Sequence, residues 1–156
     1  MKLCILAVGH KLPAWVAAGC AEYVRRMPRE LPLSVVEIRP EPRGAKNREQ
    51  LLAAEKARLR IALQGFSRRV ALDERGVEVT TLQLAQRLET WMRDGGDTAF
   101  VIGGADGIDD EIKTRADAIL RLSSLTLPHA VARLVLCEQI YRAMSVLRNH
   151  PYHREG

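Results

Sequence analysis

Thr98-Ala99-Phe100-Val101-Ile102-Gly103-Gly104-Ala105-Asp106-Gly107 is a short, mostly apolar run that stops at a glycine cluster. It is too short for a helix and apolar on every side, so it reads as a strand buried on both faces. Similar runs occur at Lys2 to Val8 before Gly9, at Leu33 to Ile38, and at Arg69 to Leu72. Pro13 to Met27, between the first two, has helical spacing at Val16, Cys20, Tyr23, Val24 and Met27, with Arg25 and Arg26 at its C-terminal end. A second helix is predicted from Ala45 to Leu63, with Leu52, Leu59 and Leu63 in phase and Gly65 as the stop. A third opens at Thr80, where Gln83 completes a capping box, and carries Leu84, Leu88 and Trp91 up to Gly95-Gly96. Strand and helix alternate, which predicts an α/β fold: a mostly parallel sheet with helices on both faces. Arg39 to Asn47 and Asp73 to Glu78 read as linkers inside one domain covering 1–156.

Composition narrows the function classes. The chain has 156 residues, 47% of them hydrophobic and 28% charged, which is ordinary for a globular domain. No apolar run approaches the roughly 18 residues a membrane span needs. Met1 to Val8 lacks the pattern of a signal peptide, so the expected location is cytoplasmic. Cys4, Cys20 and Cys137 each sit in apolar surroundings and read as buried small hydrophobes. A net charge of +5 permits a polyanionic partner without requiring one. The cations Arg39, Arg43, Lys46 and Arg48 form a loop that either contacts phosphate or is simply solvated.

The chemistry-bearing residues gather in the last third. In an open parallel sheet, ligands bind beyond the carboxyl ends of strands. Leu72-Asp73, Gly103-Gly104 and the loop Leu122 to Leu127 all lie at such ends. Neither a G-x-G-x-x-G fingerprint nor a P-loop is present, which disfavours NAD or ATP. Ala130 to Arg148 reads as a helix apolar most of the way round, so it must be buried on more than one side, by central packing or by a second subunit. Glu138 and Arg142 are spaced as a helix ion pair. His150-x-x-His153 is interrupted by Pro151 and has no Cys pair nearby, so no metal site is expected. Tyr152, His153 and Arg154 together can stack, exchange a proton and pair with phosphate on RNA.

Read together, several motifs resemble the ribosomal large-subunit pseudouridine N3-methyltransferases of the SPOUT, or α/β-knot, superfamily. They are Lys2-Leu3 through Ala7-Val8-Gly9, Trp15, Glu22-Tyr23 with Arg25-Arg26, Leu72-Asp73, Ile102-Gly103-Gly104, Gly107, Leu125-Thr126-Leu127-Pro128-His129, Tyr141-Arg142-Ala143, and Asn149-His150-Pro151-Tyr152-His153-Arg154-Glu155. The departures are small: Ala105-Asp106 stands where Pro-Glu is common, and Cys137 and Gln139 vary the helix. The resemblance implies a C-terminal trefoil knot holding S-adenosylmethionine. It also implies a homodimer in which one subunit's cofactor pocket meets the other's tail, and 23S rRNA in the assembled ribosome as substrate. Leu72, Gly103, Gly104, Leu122, Ser123, Ser124, Leu125, Thr126, Leu127 and Pro128 match the cofactor pocket; His129, Arg142, Tyr152, His153 and Arg154 match the substrate side. No metal is implied, because in-line methyl transfer needs positioning and one base. The alternative is a SPOUT methyltransferase acting on tRNA or on a ribose hydroxyl. A Rossmann-like oxidoreductase would need a glycine-rich first turn that Val8-Gly9-His10-Lys11 does not supply.

Overall fold

In the computed structural model, which describes residues 1–9 and 11–154, strand β1 (Leu3–Val8) is buried along its whole length. A strand can be apolar at every position only if both pleat faces are covered, and both are. Leu3, Ile5 and Ala7 face a core shared with helices α1 (Ala14–Arg26), α3 (Thr81–Asp94) and α5 (His129–Leu147). Cys4, Leu6 and Val8 face the opposite core, with Leu59 of α2 (Arg48–Ala62) and Ile112 of the short α4 (Asp110–Thr114). The other strands are β2 (Leu33–Ile38), β3 (Arg68–Glu78), β4 (Thr98–Ile102) and β5 (Ala118–Arg121), and Pro151–Arg154 forms a 3-10 turn. All five strands pair in parallel in the order β2-β1-β4-β3-β5, with Leu3 opposite both Leu33 and Thr98.

The predicted strands and long helices are present, with three differences. The second helix begins at Arg48 rather than Ala45, because Asn47 caps it in a reciprocal box with Gln50. The box expected at Thr80 and Gln83 is formed. Asp73 to Glu78 is a continuation of β3 and not a linker: residues 73–76 bulge out, and Leu72 and Val77 both sit opposite Leu120. Ladder bonds use backbone groups alone, so a charged stretch can continue the strand: Glu74, Arg75 and Glu78 are exposed, while Asp73 is half-buried. The third difference is β5 and α4, which are only 4 and 5 residues long and carry no periodic signal.

The chain leaves β5 at the sheet edge, yet α5 returns to pack against α1, α3 and β4. Leu136, Cys137, Ile140, Ala143 and Met144 enter the core, whereas Val131 and Val135 are half-buried. All three cysteines are buried and unbridged.

Candidate active site

The carboxyl ends of β3, β4 and β5 open into a cleft of about 930 Å³. Leu72, Gly103, Gly104, Leu122, Ser123, Leu125, Thr126, Leu127, Pro128 and His129 all line it. Of the expected pocket residues, only Ser124 does not. The Ser123 hydroxyl accepts the Leu125 N–H at 2.9 Å, which fixes the loop's turn. On the opposite wall the chain doubles back tightly after β4. Gly104 bridges Gly107, and a Cβ at Gly103 would sit 2.4 Å from the Gly107 carbonyl oxygen. Gly103 is thus required by a close backbone approach, whereas a Cβ at Gly104 would press on Val8 Cγ1 at 3.2 Å; both glycines line the cleft.

The basic loop reinforces that wall. Arg43 pairs with the Asp106 carboxylate at 2.7 Å, and Arg48 donates to the Asp106 carbonyl at 3.1 Å. Deeper in the cleft, Lys113 lies 3.3 Å from Asp73. Burial pushes the Asp73 carboxyl up, but the Arg75 N–H and the Lys113 ammonium together hold it below its ordinary value. Asp73, marked together with Leu72, and Arg48 of the basic loop line the cleft, as do Lys113 and Arg121, which no motif marked.

Arg133 was also missed by sequence reasoning. It lies one turn past His129 and is 1% exposed, with its Nη1 3.0 Å from Glu37 and its Nε lacking a partner among the described residues. An arginine inside an apolar helix looks like a solvated residue until β2 supplies a carboxylate from 96 positions away. Gly9 abuts both side chains: a Cβ there would lie 3.6 Å from Arg133 Nη2 and 3.7 Å from His129 Nε2.

The other expected residues form a second group. Tyr152 docks its hydroxyl 2.9 Å from that of Tyr23 and 3.1 Å from Glu138 Oε1. Arg142 Nε donates to the same oxygen at 2.8 Å, as its spacing predicted, and its guanidinium lies 4.9 Å from the Tyr152 ring centre. Tyr141 meets the ring edge-on at 4.8 Å. Burial and the Glu138 carboxylate push the Tyr152 hydroxyl above the ordinary phenol range. Arg154 donates to Asn149 Oδ1 at 3.1 Å, and His153 Nδ1 is buried with no partner among the described residues. Glu155 of the tail motif lies outside the described residues.

None of Tyr152, His153 and Arg154 lines the cleft. Tyr152 docks at the level of Glu138 and Tyr141, roughly 14–18 Å beyond His129 along the axis of α5. A second, smaller cleft of about 420 Å³, bordered by Val79, Gln83, Arg87 and Trp91, holds none of the expected residues. Among the described residues, no group of three or more His, Cys, Asp or Glu side chains could hold a metal ion, and no helix is long and apolar enough to cross a membrane.

Comparison with known proteins agrees with this architecture. Residues 1–153 match the family described as "Predicted SPOUT methyltransferase". The chain is 69% identical over 156 residues, and over the full length of both proteins, to the "Ribosomal RNA large subunit methyltransferase H" of Dechloromonas aromatica. It is 57% identical to the protein of that name in Burkholderia ambifaria, over 99% of both chains. Among solved structures, a "Probable Methyltransferase" from Bordetella pertussis superposes with a TM-score of 0.59 at 15% identity, covering 91% of this chain and 95% of that one, which speaks for the fold alone. SPOUT methyltransferases carry the trefoil knot, and the five-stranded parallel sheet with its helices is consistent with that fold. The chain belongs to the SPOUT methyltransferases, in the family of the ribosomal RNA large subunit methyltransferase H proteins.

Proposed function

We propose that this chain, as one cytoplasmic domain working in a homodimer, transfers a methyl group from S-adenosylmethionine to N3 of a pseudouridine in 23S rRNA of the assembled ribosome. The observation that carries the reading is the division of the site: the cleft and the tail occupy different stretches of α5 and do not meet within one chain. A second subunit that brings its tail to the cleft would complete the site. Val131 and Val135 give α5 a half-buried apolar stripe that such a subunit would cover, and the buried, unpartnered His153 Nδ1 would find its partner there or on RNA.

The cleft suits the cofactor. Its volume falls in the usual range for ligand pockets, about 300–1,000 Å³. Leu72, Ile102, Leu122 and Leu127 offer apolar surface for an adenine, and the loops Gly103–Gly107 and 122–128 bring backbone donors and acceptors beside it. Ser124, which does not line the cleft, would serve by shaping its loop. When bound, S-adenosylmethionine supplies an electrophilic methyl group. The protein then has to hold the base in line and take the N3 proton. His153 accepts that proton. Tyr152 keeps its own, since its hydroxyl is held above the ordinary phenol range, and it orients the base region. Arg142, Arg154 and His129 hold phosphate or the developing anion. No step requires a metal. The net charge of +5 fits a large RNA particle recognised mainly by shape.

The test is methyl transfer from labelled S-adenosylmethionine to assembled ribosomes, with and without prior isomerisation of the target uridine, alongside tRNA. Label confined to pseudouridine-containing 23S rRNA is the expected result. Label in tRNA or on a ribose hydroxyl would overturn it.

A further inference from the structure

We propose that Tyr23 and Glu138 are positioning residues that grip the Tyr152 hydroxyl between them and so hold His153 and Arg154 in place for methyl transfer. This rests on the reading that the tail acts on the RNA base.

The proton count favours a directed chain. An ionised Glu138 can only accept, so the Tyr152 O–H, 3.1 Å away, donates to it. The Tyr152 oxygen is then free to accept from the Tyr23 O–H at 2.9 Å. Glu138 Oε1 also receives Arg142 Nε at 2.8 Å, which ties a substrate-side cation to the same carboxylate. One network therefore spans α1 (Tyr23), α5 (Glu138 and Arg142) and the tail (Tyr152). The rings repeat the arrangement: Tyr152 stands edge-on to Tyr141 at 4.8 Å and to Tyr23 at 6.2 Å. The Arg26 guanidinium, fixed by Glu22 at 2.8 Å, lies 5.5–5.9 Å from all three ring centres.

The residues joining α5 to the tail are exposed, and Asn149 turns the chain with a φ of 53°. His153 and Arg154 have no hydrogen bond to α1 among the described residues, so Tyr152 is the side chain that fastens their turn to it. With its hydroxyl bonded twice and its ring packed against Tyr23, Tyr141 and Arg142, Tyr152 anchors its two neighbours as much as it touches the substrate.

The test compares Tyr23→Phe, Glu138→Gln and Glu138→Ala in the intact protein. Three readouts are needed: amide exchange at His150 and at Tyr152, His153 and Arg154, the affinity for S-adenosylmethionine, and kcat and KM on ribosomes. Tyr23→Phe keeps the ring and removes only the hydroxyl, so the helices remain packed. The expected result is faster exchange in the tail, a fall in kcat of roughly tenfold to a hundredfold, and unchanged cofactor affinity. Glu138→Gln, which keeps an acceptor for Tyr152, should lie between the wild-type protein and Glu138→Ala. Wild-type exchange and kcat in Tyr23→Phe, or a Glu138→Gln no better than Glu138→Ala, would overturn the proposal. Exchange is read without RNA, so a wild-type protein inactive on ribosomes would refute the substrate reading and leave the grip on Tyr152 to be judged by exchange alone.

Discussion

Replacing Gly103 with alanine tests the cleft wall directly. The added Cβ would meet the Gly107 carbonyl oxygen at 2.4 Å, its carbon at 2.5 Å and Ile108 Cγ1 at 2.8 Å. Favourable carbon contacts begin near 3.5 Å, so the backbone of residues 104–107 must retreat by about 1 Å. Overpacking of this kind costs roughly 1–3 kcal/mol, and each kcal/mol lowers Tm by about 2–4 °C for a chain of this size. The displaced backbone is itself the cleft wall, so S-adenosylmethionine should bind at least about tenfold more weakly, equivalent to about 1.4 kcal/mol. Gly65→Ala, just past α2 and away from the cleft, is the control. Its Cβ would enter open space, but the residue sits at φ +89°, so the substitution costs about 1–2 kcal/mol of backbone strain without moving the wall. Thermal unfolding with calorimetric titration separates the two: both variants lose stability, and only Gly103→Ala loses the cofactor. Wild-type affinity in Gly103→Ala would refute the assignment of this wall to cofactor binding.

Two further outcomes concern stability. Arg133 is buried and Glu37 half-exposed, so the effects of removing each should be unequal: Glu37→Ala strands a buried cation and costs roughly 2 kcal/mol or more, while Arg133→Met should stay within about 1 kcal/mol of wild type in urea unfolding. Equal losses would show that the guanidinium reaches water. Asp73 has a depressed folded-state pKa, so its contribution is present above the unfolded pKa and is lost as pH falls through the folded one. Asp73→Asn should therefore lower stability at neutral pH and flatten the acid limb below the ordinary carboxylate range; an unchanged limb would assign it to other carboxylates.

What the sequence determined by itself is what neighbouring residues settle among themselves. An apolar run such as Leu3 to Val8 must be buried on both faces, Thr80 and Gln83 close a box within one turn, and Glu138 meets Arg142 because a helix places the fourth residue alongside. Motifs marked the candidate site residues, and the resemblance implied that pocket and tail come from different subunits, but nothing local says where the tail docks in its own chain: His129 faces the cleft while Tyr152 docks on Tyr23, 129 positions away. The same holds for Arg133 and Glu37, for the β3 continuation that pairs with β5, and for α4 and β5, whose few residues have no period of their own. These are long-range pairings whose partners exist only once the sheet has assembled. Tertiary structure decided them because a buried charge, an edge strand and a docked tail are each stabilised by groups that the chain brings close only by folding.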